Sequence, residues 1–297
     1  MYLVTGATGG LGKRIVRLLR DRDLPVRAFV RLSSNYAELE QRGAEIFIGD
    51  LNRERDLRKA FRGVRYAIST HGSRGTGSQI QDIEYGANID LIDFGKEAGI
   101  EHFVYISVLG VDRGYRDSPV FKAKREVENY LQTSDLTYTI LRPSGFASNL
   151  LPLAERFRST GIYLAIGDLN NRTSIVSTDD LAQIAVDSVK VEAASHRIFA
   201  VGSPEIIARD EIPKIFGRVF NKEPIVLNVP LTVFDGVRTA LGWVNPDLQQ
   251  SLGTLRVLLA NEFFCTSDEI HTLESTFGIH MESLESFLRR YLVSQES

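Results

Sequence analysis

Residues 5 to 12 read TGATGGLG, and the reading of this stretch decides the fold. Four of its eight residues are glycine. Glycine tolerates positive φ and lets a second backbone or a ligand come up against the main chain. Before it, Tyr2-Leu3-Val4 reads as a short buried strand. After it, Leu11, Ile15, Leu18 and Leu19 recur at helical spacing and mark one apolar face. The glycines therefore occupy a tight strand-to-helix turn. A helix N-terminus carries unpaired N–H groups and partial positive charge, which suit a phosphate. The spacing is Gly6-x-x-Gly9-x-x-Gly12, and in this context it implies dinucleotide binding.

The alternation of strand and helix continues outward from the turn. Strands are predicted at Val26 to Val30, Ala44 to Ile48, Arg65 to Ser69, His102 to Ser107 and Tyr138 to Leu141. Helices are predicted at Tyr36 to Arg42, Arg55 to Phe61, Asp82 to Ala98 and Lys122 to Thr133. Such alternation argues for a doubly wound parallel sheet covered on both faces, an α/β fold of the Rossmann type. Ligands then gather at the carboxyl ends of the strands. Those ends are Thr5, Arg31, Gly49, Ser69-Thr70 and Ser107-Val108. The pattern loosens after Arg142-Pro143. Two later stretches, Thr173 to Lys190 and Arg197 to Val201, read as returns to the sheet. The expected division is 1–143 plus about 173–202 for the nucleotide-binding domain. About 144–172 and 203–297 are left for a smaller C-terminal substrate lobe. Leu284, Phe287, Leu288, Tyr291 and Leu292 mark its last helix.

Composition narrows the class. The chain has 297 residues, 43% of them hydrophobic and 25% charged, as in ordinary globular proteins. A net charge of −3 gives no support for nucleic-acid binding. With one cysteine, Cys265, no internal disulfide can form, which suits a reducing compartment, and a cytoplasmic location is expected. No apolar run approaches the roughly 20 residues of a membrane span, and no signal peptide precedes the first strand. The five histidines show no metal-ligand spacing, so no metal is expected.

At the cofactor end, Arg31 stands 19 residues after Gly12, about where an acid would grip the ribose 2′-OH of NAD. A guanidinium there suits a 2′-phosphate, so NADP(H) is the expected cofactor. Asp50 ends the third strand. It reads either as a hydrogen-bonding partner for adenine, with Leu51 against the ring, or as a helix cap. Gly6, Thr8, Gly9, Gly10, Leu11 and Gly12 would cradle the pyrophosphate, and Ser69 and Thr70 would border the nicotinamide side.

These residues follow one order. TGATGGLG is followed by Arg31, by Gly49-Asp50-Leu51, by Phe103-Val104-Tyr105-Ile106-Ser107 and by Leu136 to Pro143. The order resembles the NmrA-like group of atypical short-chain dehydrogenase/reductases, which includes relatives of isoflavone reductase and quinone reductases. The likeness spans most of residues 1–205, down to Asp179-Asp180-Leu181-Ala182. It implies an NADP(H)-dependent reductase of a small apolar or aromatic carbonyl, enone or quinone-like substrate. It also admits, as an alternative, a non-catalytic NADP(H)-binding regulator, redox sensor or assembly factor with a protein partner.

The resemblance also exposes a gap. Typical members of the wider superfamily use a Tyr-x-x-x-Lys pair for proton transfer. Here the lysine falls on Lys124 and the tyrosine slot on Val120, which exchanges no proton. Shifting the register to Lys122 places Ser118 in the slot, and Tyr115 is wrongly spaced for either lysine. Lys124 thus reads as an acid/base, as a ribose ligand, or as a solvated side chain paired with Glu128 at i+4. The usual serine position falls on Ser107 or Val108. His71 reads as a proton relay or a loop residue without a role, Asp179 and Asp180 as caps of a helix beginning near Leu181, and Phe146, Asn149 and Leu150 as pocket lining or lobe core.

Overall fold

The computed structural model describes residues 1–72 and 78–292, so the predicted glycine-rich segment 71–78 lies largely outside the described residues. Six strands come in the predicted places: β1 (Tyr2–Thr5), β2 (Val26–Val30), β3 (Glu45–Ile48), β4 (Tyr66–Ser69), β5 (His102–Ile106) and β6 (Tyr138–Pro143). Further along lie β7 (Ile162–Ile166), β8 (Arg172–Thr173), β9 (Arg197–Val201), β10 (Ile207–Ala208) and β11 (Ile225–Val229). A seven-stranded sheet runs in the order β3-β2-β1-β4-β5-β6-β9, and its neighbours all pair in parallel. The strand order reverses between β1 and β4. In doubly wound sheets the ligand crevice opens at that reversal.

The helices before the sheet's last strand are α1 (Gly10–Asp21), α2 (Ala37–Gln41), α3 (Glu54–Ala60), α4 (Ser78–Ile80), α5 (Ala87–Glu97), α6 (Pro119–Gln132), α7 (Leu151–Thr160) and α8 (Thr178–Asp187). After it come α9 (Glu211–Phe220), α10 (Leu231–Val244), α11 (Pro246–Ala260), α12 (Ser267–Phe277) and α13 (Leu284–Leu292). On α1, Leu11, Ile15 and Leu19 are buried as their spacing predicts, with Val16 added.

Three elements differ from the sequence reading. The helix expected over Asp82 to Ala98 is interrupted by a π-helical turn, Gln81–Gly86, and α5 then stops at Glu97 with Ala98 exposed as its cap. The periodic apolar residues Ala87, Leu91 and Phe94 all lie beyond this turn, so their spacing does not reveal it. The helix expected from Lys122 starts at Pro119, because the Ser118 side chain accepts the Phe121 N–H and proline at the first position needs no partner. Within Thr173 to Lys190, the return to the sheet is the helix α8 rather than a strand. Its N-cap is Ser177 rather than Asp179 or Asp180.

Two cores flank the sheet. One combines β1 and β2 with α1, α8 and α12, through Ile15, Leu19, Leu181, Ile184, Ile270 and Leu273. The other joins α3, α5 and α6 to the opposite face, through Leu57, Leu91, Phe103, Tyr105 and Val127. A third core, with Phe157, Phe216 and Phe287, belongs to α7, α9 and α13. Val257, Phe263, Cys265 and Met281 pack with the first core, so part of the segment after 203 covers the sheet itself.

The second face is also held by charge. Glu128 of α6 is fully buried and accepts two hydrogen bonds from Arg142 of β6, at 2.9 and 2.6 Å. Arg142 also donates to Asp112 at 2.7 Å. Removing one partner of a buried pair strands the other. Glu128→Leu is therefore expected to cost about 3–5 kcal/mol, read as a lower urea midpoint at unchanged slope. A loss below about 1 kcal/mol, the worth of an exposed pair, would show that Arg142 finds water instead.

Candidate functional site

The turn after β1 brings three backbones together. Gly6 adopts φ +67°. A Cβ on Gly6 would stand 2.6 Å from the His71 nitrogen, so this glycine admits the end of β4. A Cβ on Gly12 would strike the Gly6 carbonyl oxygen, so that glycine seats α1 on the turn. Gly9 differs. A Cβ there would approach only the Gly6 oxygen, at 3.2 Å, and the residue is exposed. Gly9 is also the N-cap of α1 and brings no capping side chain, which leaves first-turn N–H groups for an anion. Gly10 is exposed as well, Thr8 is half-buried, and Leu11 and Ala7 anchor the turn in the core. These features fit the pyrophosphate of a dinucleotide.

Arg31 follows the last residue of β2, the strand paired with β1, and is exposed. Among the described residues its side chain has no ion-pair partner. Nearby cations are committed elsewhere: Lys13 to Glu38 at 3.2 Å and Arg14 to Asp179 at 2.8 Å. Asp50 caps neither α3 nor any other helix. Its side chain accepts the Asn52 N–H at 3.0 Å in a local turn, and Leu51 packs at the edge of the second core.

At the end of β4 the side chains are spent internally. Ser69 Oγ donates to Asn88 Oδ1 at 2.6 Å, and Thr70 Oγ1 donates to the Thr5 carbonyl at 2.8 Å. His71 is buried. Its Nε2 donates to the Ile83 carbonyl at 3.2 Å, which leaves Nδ1 to accept from Thr5 Oγ1 at 2.9 Å. Burial lowers its pKa to about 4, Glu84 opposing and Lys124 reinforcing the shift. His71 is therefore a neutral brace tying β1 and β4 to the π-helical turn, with both nitrogens occupied.

Lys124 does not pair with Glu128. That carboxylate is taken by Arg142, and Lys124 turns instead to the buried Glu84, with Nζ 3.4 Å from Oε2. The same ammonium donates to the Ile106 carbonyl at 3.0 Å and sits 5.2 Å from the Tyr105 ring centroid. Among the described residues, Tyr105 Oη and Ser107 Oγ are buried with no hydrogen-bond partner. Burial, with Glu84 and Glu128 nearby, raises the Tyr105 pKa well above its usual value. Glu84, Asn88 and Tyr105 are the residues that sequence reasoning missed. Tyr115 packs edge-on against Phe121, with centroids 5.3 Å apart, and belongs to the core. Phe146 and Asn149 lie just beyond β6. Phe146 is half-buried beside the first core and Asn149 is exposed; Ser148, between them, would contact a Cβ on Gly10 at 3.4 Å.

Asp179 serves the fold rather than a cap. It binds Arg14, Arg17, Arg290 and Tyr291, and so fastens α13 to α1. No metal-holding cluster occurs among the described residues, and no helix there is long and apolar enough to cross a membrane.

Comparison with known proteins agrees with this geometry. The photosystem II assembly factor Ycf39 of Cyanophora paradoxa is 28% identical, over 97% of this chain and 91% of its own. The NAD(P)H azoreductase of Xenophilus azovorans is 31% identical, over 71% of each chain. The NADPH-dependent quinone oxidoreductase of Escherichia coli, solved with NADPH, superposes with a TM-score of 0.77 at 20% identity over the whole of both chains. The family model described as NAD(P)H-binding matches residues 6–192, from the first glycine of the turn to the end of the α8 region. By the length of that match, the chain belongs to the NAD(P)H-binding family, in keeping with its NmrA-like resemblance.

Proposed function

We propose that the chain is an NADP(H)-dependent reductase that delivers hydride to a small apolar or aromatic carbonyl, enone or quinone-like acceptor. The observation that carries this reading is the polar cluster at the ends of β4 and β5. There the Lys124 ammonium binds the Ile106 carbonyl, and the next residue, Ser107, has a buried hydroxyl without a partner among the described residues, across the switch point from the glycine turn. Buried polar atoms without partners are rare and point to a ligand or a bound water. In this reading Gly6, Thr8, Gly9, Gly10, Leu11 and Gly12 hold the pyrophosphate. Arg31 meets the 2′-phosphate, and Asp50 and Leu51 border the adenine. Ser69 and Thr70 contribute main chain, since their side chains are engaged. Lys124 holds the nicotinamide ribose or the acceptor oxygen, Ser107 donates to the acceptor, and Phe146 and Asn149 line its pocket. The cofactor, when bound, supplies the hydride. His71 positions the strand ends and makes no contact of its own with the acceptor.

A second reading, an NADP(H)-dependent assembly factor, is favoured by α10. This helix buries none of its residues. It leaves Val233, Val237, Trp243 and Val244 exposed, the last two at 86 and 87%. Exposed apolar stripes mark surfaces that other molecules cover. Relatives of assembly-factor name align over nearly the whole chain, α10 included.

NADPH is expected to bind more tightly than NADH, and Arg31→Asp to reverse the order, by titration calorimetry. Equal affinity of the unaltered protein for both would remove Arg31 from the 2′-phosphate. Gly9→Val should abolish NADPH binding while the melting temperature stays near the parent's, because the added Cβ meets only the Gly6 carbonyl oxygen, at 3.2 Å. Retained affinity would place the phosphates elsewhere. NADPH oxidation over a panel of quinones, enones and aldehydes tests the reaction. Turnover should fall by about 10²–10⁴ in Lys124→Ala if the amine is an acid/base. A silent panel, with NADPH altering capture of a protein partner, would favour the assembly reading.

A further inference from the structure

We infer that Glu84 is a positioning residue that aims the Lys124 ammonium at the cofactor, replacing as its companion the tyrosine that Val120 displaces. The inference rests on the proposed placement of Lys124 beside the nicotinamide ribose. It adds the carboxylate that makes that placement work.

The nearest acid in sequence on the inner face, Glu128, is unavailable. It is fully buried and bound twice by Arg142, with Arg125 at 3.6 Å as well. The side chain of Lys124 is only 11% exposed, so its charge needs a partner inside the protein. That partner comes from another element. The π-helical turn Gln81–Gly86 carries Glu84 inward, where its side chain is 3% exposed. Single π-helical turns inside α-helices are frequent at functional sites. This one is secured at both of its inner carbonyls. His71 Nε2 donates to the Ile83 oxygen, and Asn88 Nδ2 donates to the Glu84 oxygen at 3.0 Å. Gly72 leaves room for the carboxylate, since a Cβ there would lie 3.0 Å from Glu84 Oε1.

Donor counting shows what this achieves. A lysine ammonium has three N–H groups. One goes to the Ile106 carbonyl at the end of β5 and a second faces Glu84. The hydrogen bond and the ion pair come from different elements, so together they hold the head group from two sides. Among the described residues an N–H is left for a ribose hydroxyl or an acceptor oxygen. A buried ion pair is weak evidence for stability, because desolvation offsets its attraction. The Tyr105 and Ser107 hydroxyls, buried and without a partner among the described residues, add no stability either. The arrangement therefore answers to what binds there.

The test is a double-mutant cycle on NADPH affinity, by calorimetry, with melting temperatures recorded alongside. The proteins are the full chain, Glu84→Gln, Lys124→Met and the double variant. Lys124→Met should weaken NADPH by about 10–100-fold, the worth of a charged hydrogen bond. Glu84→Gln should weaken it about tenfold alone and less than about twofold in the Lys124→Met background, as coupled neighbours behave. Glu84→Asp, which keeps the charge, should recover most of the affinity. An equal loss in both backgrounds would mean that Glu84 acts on the fold, and no loss would mean that it does not aim the lysine; either overturns the inference. Should Glu84→Gln fail to fold, Glu84→Ala takes its place in the cycle, measured with Lys124 intact and again together with Lys124→Met, and the same two results overturn it. If Lys124→Met binds NADPH unchanged while Gly9→Val does not bind, the placement of Lys124 falls, and the inference with it, while the phosphate turn stands.

Discussion

Everything at this site depends on three stretches of main chain meeting where the strand order reverses. The turn after β1, the first turn of α1 and the end of β4 come so close that two glycines have no room for a Cβ. Close approach fixes the direction in which α1 leaves the sheet, and hence where its free N–H groups point. The strand end that follows is then braced by side chains rather than by more backbone. Thr5, His71 and Ser69 link β1 and β4 to the π-helical turn and to α5 through hydrogen bonds of 2.6 to 3.2 Å. A neutral histidine suits this work, because burial disfavours its charge and each ring nitrogen has one fixed role.

Buried charge is handled by the same logic of assigned partners. Two buried acids on the second face of the sheet take different cations. Glu128 takes Arg142, whose planar guanidinium matches a carboxylate with two parallel hydrogen bonds. Glu84 is left to Lys124, whose compact ammonium accepts partners from several directions. Exchanging the pairs would waste both geometries.

The sheet was legible in the sequence because its inner strands, such as β1 and β5, are buried on both faces, and each strand reads as a short apolar run between helices. Arg31 and the glycines were legible because their positions relative to β1 and β2 follow from connectivity alone. The environment of Lys124 was not. Its true partner lies 40 residues earlier, on a turn whose altered hydrogen-bond register leaves the apolar spacing of Ala87, Leu91 and Phe94 intact. The apparent partner, Glu128, is removed by a residue on a different element. Asp179 misled for the same reason. An acid at the start of a helix looks like a cap, and only the arrival of α13 shows that it binds Arg14 and Arg290 instead.

Tyr105 and Ser107 sharpen what can be said of the polar cluster. Both lie on or beside a central strand, where phenylalanine and alanine would fill the same space without a polar atom. A buried hydroxyl left without a partner costs about 1–3 kcal/mol, and among the described residues two such atoms lie on and just after β5. Packing cannot account for them, since β5 is already flanked by Phe103 on one face and by Val104 and Ile106 on the other. Nor can the ion pair, which already has its carboxylate. In the reading proposed above, these hydroxyls would offer donors and acceptors to what enters the crevice at the switch point, and the apolar cores on either side offset their cost.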